Sequence, residues 1–195
     1  MSGRVAAVVL AAGFGRRFGS QNKLHQKLDG RPLLAHALTP LAAAGLEEVV
    51  VVCAPTDALA MDLAASFGFR ACANHARLQG MGTSLACGVR GLSPGIAAAL
   101  VALGDMPRIP ASVPRMLVAA FSGDATEILI PTCKGQPGHP VLFGRGHFAA
   151  LAALEGDEGA RSVVARHGPK IRRIEVGEPG ILLDVDTPAG LQALD

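Results

Sequence analysis

Apolar and polar positions divide the chain into short segments of two alternating kinds. Residues 49–53 form a continuous run of β-branched and other apolar residues, which is typical of a strand buried on both faces of a parallel sheet. Residues 32–44 are rich in alanine and leucine and are followed by a glycine, which is typical of a helix and its end. Repeated alternation of these two kinds predicts an α/β fold with a mostly parallel sheet and covering helices.

The same reading gives approximate bounds for the other elements. Further strands are predicted at 5–10, 69–73, 96–103, 127–130, 171–176 and 181–185, and helices at 58–67, 83–89, 113–121, 148–154 and 160–166. Glycine and proline are dense between 133 and 140, which predicts a small β hairpin inserted late in the chain. Since no linker or repeat interrupts the 195 residues, we expect a single domain spanning 1–195.

Composition excludes several classes of function. The net charge is only +2 and neither Trp nor Tyr is present, so nothing favours nucleic-acid binding. The chain is half hydrophobic, but its apolar runs are interrupted well before the length of about 18 residues that a membrane span needs. The N-terminal residues do not resemble a signal peptide. Four scattered cysteines are typical of free thiols in a reducing compartment, so we expect a cytoplasmic protein.

The first predicted strand runs into a turn that combines small residues with cations, VVLAAGFGRRFG. Ala11, Ala12 and Gly13 lack bulk, so a ligand can approach the backbone closely, and the N–H groups of such a turn attract anions. Arg17 and Lys23 add the charge that a triphosphate requires. The glycine spacing fits neither the dinucleotide fingerprint nor the Walker A loop. The turn therefore predicts another kind of nucleotide-phosphate loop.

This turn resembles the signature L-A-A-G-x-(small)-x-R-x-G, followed by a lysine, of nucleotidyltransferases that use a nucleoside triphosphate. The resemblance implies that the nucleotide is held by a loop consisting of Leu10, Ala11, Ala12 and Gly13, while Arg17 and Lys23 hold the triphosphate. The chain departs from the signature at two points. Gly15 stands where Ser or Thr is usual, and Lys23 lies further along than in many relatives, so Lys27 is an alternative for its role.

Aspartates follow two of the predicted strands. Asp105 comes directly after the strand 96–103, and the carboxyl ends of central parallel strands face the crevice in which such sheets bind ligands. Mg²⁺ binds through one or two carboxylates together with phosphate oxygens, so Asp105 predicts a metal ligand, with a helix cap as the alternative. Asp184 and Asp186 would share one face of the strand 181–185. Resemblance to the late D-x-D-T-P element of these enzymes implies Asp186 as the second ligand, with an N-cap as the alternative.

Three further motifs resemble the molybdenum-cofactor cytidylyltransferase (MocA-like) family of the NTP-transferase superfamily. The segment QGMGTSL is similar to the family's G-M-G-x-S-L loop, which implies that Gln79, Gly80, Gly82 and Ser84 bind the nucleotide. GQPGHPV and GDEGAR resemble elements that meet the second substrate, which implies an acceptor site made of Gly138, His139, Pro140 and Arg161. The other histidines, His25 among them, have no such context and are interpreted as surface or core residues.

The resemblance implies a Rossmann-like, three-layer nucleotidyltransferase fold and a Mg²⁺-dependent transfer of CMP from CTP to molybdopterin cofactor, with release of pyrophosphate. Lys23, Arg17 and Asp105 would be catalytic by positioning the phosphates and stabilising charge. A molybdoenzyme or its chaperone would be a transient partner. The residues leave open whether GTP or ATP replaces CTP, whether the acceptor is a sugar phosphate or isoprenoid precursor, and whether the chain is a non-catalytic molybdopterin carrier.

Overall fold

The computed structural model describes residues 3–13, 15, 18–19, 22–166 and 171–194. Its strands are β1 (Val5–Leu10), β2 (Lys27–Leu28), β3 (Arg31–Pro32), β4 (Glu48–Cys53), β5 (Arg70–Ala73), β6 (Ala98–Leu103), β7 (Ile128–Cys133), β8 (Gln136–Pro137), β9 (Val141–Gly144) and β10 (Ile171–Glu175). Its helices are α1 (Leu33–Ala42), α2 (Ala58–Ser66), α3 (Met81–Arg90), α4 (Ser112–Ala120), α5 (Phe148–Ala152), α6 (Ala160–Arg166) and α7 (Pro188–Gln192). Short 3₁₀ turns lie at Lys23–His25, Arg77–Gln79, Arg145–His147 and Pro179–Leu182. Within these described ranges no helix has the length and apolar character needed to cross a bilayer.

The main sheet has the order β10-β7-β9-β6-β1-β4-β5, with β8 beside β7. β1 pairs in parallel with β4 on one side and with β6 on the other, and the pairs β4–β5 and β7–β10 are also parallel. β9 runs antiparallel between β6 and β7, and β8 forms an antiparallel hairpin with β7. This arrangement confirms the predicted α/β fold with a mostly parallel, Rossmann-like sheet and a small β insertion.

Helices cover both faces of the sheet, which explains the continuous apolar runs of its central strands. Successive side chains of a strand point to opposite faces. Val51 of β4 accordingly packs in a core cluster with Leu38 of α1 and Leu117 of α4, whereas Val52 packs in a second cluster with Leu85 of α3. Both faces of the sheet must exclude water. The side chains that point to one face and those that point to the other must therefore both be apolar.

The predicted strand at 181–185 is wrong. Pro179–Leu182 forms a 3₁₀ turn, and residues 183–186 have no regular secondary structure. Asp184 and Asp186 therefore do not share one face of a strand, and each side chain takes its own direction from an irregular segment.

The backbone contacts of this segment give the physical reason. The carbonyl oxygen of Ile181 accepts a hydrogen bond from the N–H of His139 at 3.0 Å, and the N–H of Val185 donates to the carbonyl of Asp105 at 3.0 Å. These bonds join the segment to two separate loops, so the chain cannot run alongside a single strand. Ile181 and Val185 are buried because they fasten those loops together.

The loops that follow β1 and β6 lie next to each other at the carboxyl edge of the sheet. The chain passes from β1 through α1 to β4 on one side of β1, and it later returns through α3 to β6 on the other side. Such a reversal opens a crevice between the two loops, where sheets of this kind bind ligands. A hydrogen bond from the N–H of Gly104 to the carbonyl of Leu10, at 3.0 Å, joins the two loops directly.

Candidate active site

A cavity of about 520 Å³ opens at this switch point. It is lined by Leu10, Ala12, Gly13, Gly15, Arg77, Leu78, Gln79, Gly80, Met81, Ser84, Leu103, Asp105, Gly156 and Asp157. Most of the residues predicted to bind the nucleotide thus share one cavity, although they come from two distant segments. Ala11 is an exception, because its side chain packs in the core while its N–H donates to the carbonyl of Val52 at 2.8 Å.

Arg17, the cation predicted for the triphosphate beside Lys23, lies outside the described residues, as does Arg16. Its role stays a prediction.

Ser84 lies in the first turns of α3, where a buried asparagine orients its hydroxyl. The amide nitrogen of Asn74 donates to Ser84 Oγ at 2.9 Å and to Thr83 Oγ1 at 3.0 Å, while its carbonyl oxygen accepts from the N–H of Ala76. Asn74 is only 4% exposed, so the group that orients the Ser84 hydroxyl is itself held in the protein interior. Because Ser84 Oγ accepts from Asn74, the hydroxyl proton of Ser84 is directed elsewhere and can be donated to a ligand in the cavity.

Gly80 and Gly82 allow a second loop to pack against the start of α3. Gly80 has a φ of 117°, and a Cβ there would lie 2.1 Å from the backbone of Gly156. Gly82 is buried, its N–H donates to the carbonyl of Gly156 at 2.9 Å, and a Cβ on it would lie 2.7 Å from the carbonyl oxygen of Glu155. Gly82 does not line the cavity. These glycines bring together two motifs that are about 75 residues apart in the sequence.

Lys23 sits between the two carboxylates predicted to bind a metal. Its Nζ lies 2.6 Å from Asp105 Oδ2 and 3.3 Å from Asp186 Oδ1, and its side chain is only 12% exposed. Gly15, the departure from the family signature, makes this placement feasible. It has a φ of 53°, and a Cβ on it would lie 2.8 Å from the Cβ of Lys23. The alternative lysine, Lys27, is exposed on β2.

The oxygen donors at this point suit a hard divalent cation. Asp105 and Asp186 both contact the ammonium of Lys23, so the site already accommodates positive charge between two carboxylates. Asp184 instead lines a neighbouring cavity. Within the described ranges no group of three or more His, Cys, Asp or Glu side chains is arranged to hold a metal. A cation here would take one or two carboxylates and complete its shell with phosphate oxygens and water, as Mg²⁺ does.

The second cavity, of about 700 Å³, adjoins the first. Leu10, Met81, Leu103 and Asp157 line both. Among the residues predicted for the acceptor, Gly138, His139 and Arg161 line this second cavity, whereas Pro140 is buried and does not. Most of the remaining wall is apolar, and Arg173 of β10 adds a cation that the sequence motifs do not indicate.

His139 presents an imidazole that is largely withdrawn from water. Burial lowers the pKa of His139, and the nearby Arg161 acts in the same direction, against a hydrogen bond with the backbone of Val101 and the charges of Asp105 and Asp184. The neutral ring therefore dominates at neutral pH. Its Nδ1 is buried and finds no hydrogen-bond partner among the described residues. A buried unpaired nitrogen of this kind is suited to bind a polar atom of a ligand.

Two features of the site were not predicted. Arg77 lines the first cavity and donates from Nε to the carbonyl of Ala12 at 2.9 Å, and a cation just ahead of the glycine loop is the only sequence signal for it. Asp57, buried before α2, contacts Asn22 and His25 on either side of Lys23. The sequence identifies Asp57 at most as a helix cap, because its partners lie more than 30 residues away.

Residues 7–171 match the MobA-like NTP transferase domain. The chain belongs to this family. The matched span includes both cavities' principal loops and Asp105, while Asp184 and Asp186 follow it. Family membership fits a site in which a small-residue loop and a strand-end aspartate line one cavity, with a lysine bound to that aspartate.

Two curated relatives of this NTP-transferase chain are similar over most of its length. The nicotine blue oxidoreductase of Paenarthrobacter nicotinovorans is 31% identical over 195 residues, covering 94% of this chain and 92% of that protein. The bifunctional protein GlmU of Halorhodospira halophila (strain DSM 244 / SL1) is 31% identical over 193 residues, covering 93% of this chain. The chain spans only 36% of that GlmU protein.

Among solved structures, Rv0371c from Mycobacterium tuberculosis H37Rv is similar over the whole chain. It superposes with a TM-score of 0.83 at 26% identity, covering 100% of this chain and 98% of that one. A manganese complex of the same protein superposes with a TM-score of 0.81 at 24% identity, with the same coverage. These likenesses agree with the fold described above.

Proposed function

We propose that this chain transfers a cytidylyl group from CTP to molybdopterin cofactor and releases pyrophosphate. The observation that carries the proposal is a pair of adjoining cavities, the first of which is lined by Asp105, the partner of Lys23. The first cavity contains the predicted nucleotide loop and Asp105. The second contains the predicted acceptor residue His139, which lies close enough to Asp105 for that carboxylate to influence its charge.

The proposed reaction needs positioning and charge stabilisation more than proton transfer. An oxygen of the acceptor's terminal phosphate attacks the α-phosphorus of CTP, and the bond from that phosphorus to the bridging β-phosphate oxygen breaks as pyrophosphate leaves. The attacking phosphate is already ionised at neutral pH, so no base is required. Lys23, held against Asp105 of the nucleotide site, would stabilise the charge on the phosphates, and Arg17 is proposed to share this role.

Asp105 and Asp186 are the residues proposed to hold Mg²⁺, because their oxygens converge on one cationic group. When bound there, Mg²⁺ would supply positive charge that offsets the charge developing on the leaving pyrophosphate. The related Rv0371c has been crystallised in complex with manganese, which supports a divalent cation in this chain.

The walls of the second cavity favour an acceptor that combines a flat heterocycle with an anionic group. Val101, Ile130 and Phe143 provide apolar surface, while Arg161 and Arg173 provide positive charge. Asp157 and Asp184 also line the cavity and can accept from a few hydroxyls, but a sugar phosphate would place its other hydroxyls against the apolar part of the wall, where they have no partners, which is unfavourable. A pterin ring with a terminal phosphate suits this combination better. The product of the proposed reaction would pass to a molybdoenzyme or to the chaperone of such an enzyme.

Pyrophosphate release with each of CTP, GTP, ATP and UTP tests the proposal, with Mg²⁺ or EDTA and with molybdopterin, a sugar phosphate or an isoprenoid precursor as acceptor. We expect release only with CTP, Mg²⁺ and molybdopterin, and its loss in Asp105→Ala with an unchanged melting temperature. Release with another acceptor would redirect the assignment of the second cavity. Pterin binding without any release would favour the non-catalytic carrier.

Because one relative is named as an oxidoreductase, the assay also includes a test for oxidoreductase activity. Nicotine blue oxidoreductase matches nearly end to end, so reduction of nicotine blue by a nicotinamide dinucleotide is measured in parallel. We expect none, because β4 ends in Val52 and Cys53 and is followed by Ala54, where a dinucleotide-binding sheet of the usual kind carries a carboxylate for the ribose.

A further inference from the structure

Asp57 is a buried carboxylate outside the proposed reaction machinery, and all of its described contacts are structural. Its side chain is 4% exposed and stands at the N-terminus of α2. Oδ1 accepts from the N–H of Ala60 at 3.0 Å and from His25 Nε2 at 2.8 Å, while Oδ2 accepts from Asn22 Nδ2 at 2.7 Å. Burying a carboxylate is unfavourable unless it is fully hydrogen bonded, so this set of partners must form together.

The partners of Asp57 flank Lys23 on both sides. Asn22 also caps the 3₁₀ turn that carries Lys23, since its Oδ1 accepts from the N–H of Leu24 at 3.0 Å. Leu24 is itself 5% exposed and packs in the core. Asn22, His25 and Asp57 are therefore called the Asp57 clamp, because together they fix the backbone of the turn to α2.

On its opposite side the same turn presents Lys23 to Asp105 and Asp186. A lysine side chain is long and flexible, so the position of its ammonium depends on how firmly its backbone is held. The sequence just before this turn contains three glycines, at 13, 15 and 19, and glycine is the residue type that restricts the backbone least. Among the described residues, the Asp57 clamp holds this backbone together with the buried side chain of Leu24 and a hydrogen bond from the N–H of Leu33 to the carbonyl of Gln26 at 2.8 Å.

We propose that Asp57 is a positioning residue that holds Lys23 at the triphosphate through Asn22 and His25. This inference rests on the proposed function for its kinetic consequences, but the structural restraint can be measured without any reaction. Misplacing a charge-stabilising group by about 1 Å can reduce the rate roughly 100-fold. We therefore expect loss of the clamp to lower kcat by about 10- to 100-fold with a smaller change in KM for the nucleotide.

The first test exchanges donor and acceptor across the clamp. Asp57→Asn places an amide donor against the donor of Asn22, and Asn22→Asp places two carboxylates together, so each single variant should lower kcat. The double variant Asn22→Asp/Asp57→Asn restores a complementary pair and should recover activity. A double-mutant cycle gives the coupling between the two positions. Additive losses, with no recovery in the double variant, would overturn the proposal.

Two controls separate positioning from folding. Asp57→Ser keeps a good N-cap for α2 but is too short to reach the turn, so it should reduce kcat with little change in melting temperature. Glu127→Gln alters another buried carboxylate. Glu127 accepts from Ser122 and lies just before the first residue of β7, at the edge of the sheet away from the two cavities. This variant should lower the melting temperature and leave kcat unchanged. A fall in kcat that merely follows melting temperature across these variants would contradict a positioning role.

Amide hydrogen exchange of Leu24, His25 and Gln26 provides the readout that needs no activity. Exchange should be at least ten-fold faster in Asp57→Ser and return to the wild-type rate in the double variant. Unchanged exchange in Asp57→Ser overturns the inference whatever the kinetics show. If wild-type protein releases no pyrophosphate with any nucleotide, the proposed function fails, while the exchange pattern still decides whether the clamp holds the turn.

Discussion

Gly13 offers a sharp test of the nucleotide loop, because a side chain there is compatible with the folded chain but not with the proposed ligand. A Cβ built on Gly13 meets no atom of the described residues within 4 Å, and its φ lies outside the left-handed range. Replacing glycine by alanine at such a position stabilises a protein by about 0.4–1 kcal/mol, since the unfolded chain loses conformational freedom. In a chain of this size that corresponds to a rise in Tm of roughly 1–4 °C.

The same methyl group would project into the cavity proposed to hold the nucleotide. We expect Gly13→Ala to weaken CTP binding at least ten-fold, which corresponds to about 1.4 kcal/mol. Isothermal titration calorimetry with Mg²⁺, beside a thermal melt of the same sample, measures both effects.

Gly123 supplies the matched control. It is equally free of neighbours among the described residues, but its φ is 92°. Gly123→Ala should therefore lower Tm, because alanine is strained in that conformation, and leave CTP binding unchanged. Wild-type affinity in Gly13→Ala would refute the assignment of this loop to the nucleotide. A fall in the Tm of Gly13→Ala would refute the claim that the folded chain has free space for a Cβ at Gly13.

Three further predictions concern packing and titration. Gly82→Ala should lower the free energy of unfolding by about 1–3 kcal/mol in guanidinium chloride, because its Cβ would lie 2.7 Å from the carbonyl oxygen of Glu155; an unchanged midpoint would contradict this. Burial raises the pKa of Cys53 to about 11 and, with the help of Cys72, that of Cys87 to about 12, so both thiols should alkylate far more slowly at pH 8 in native than in denatured protein. Comparable rates in the two states would show that these thiols are accessible and ionised. Burial lowers the pKa of His139, so its contribution to stability is complete above about pH 6.5 and is lost as pH falls through the lowered value. Urea midpoints between pH 7.5 and 5 should decline less in His139→Gln, and identical slopes would rule out this residue as the cause.

Sequence patterns locate the strands best where both faces of a strand are covered by helices. The predicted strand at 5–10 coincides with β1, and that at 49–53 differs from β4 by one residue. The prediction ends the strand 127–130 before Pro131, yet β7 continues to Cys133. Pro131 is tolerated there because a strand position can lack an N–H donor where the ladder does not need one.

The wrong strand at 181–185 shows where patterns stop being informative. Apolar residues at Ile181 and Val185 correctly indicate burial. Burial does not reveal which part of the chain such a residue packs against, however. Here the segment is hydrogen bonded to the loops that follow β6 and β8, through one backbone group in each loop. A short apolar segment that fastens loops and one that joins a sheet have the same composition.

By itself the sequence determined most of the strands and helices of the main sheet, the small-residue loop after β1 and the aspartate after β6, because each depends on residues within a few positions of one another. Tertiary structure alone decided that Lys23 reaches Asp105 and Asp186, 82 and 163 residues away, and that Asp57 holds the turn carrying Lys23. Those contacts depend on strand order. The parallel placement of β1 between β4 and β6 brings the carboxyl ends of three strands to one edge, and local periodicity along the chain contains no record of which strands become neighbours.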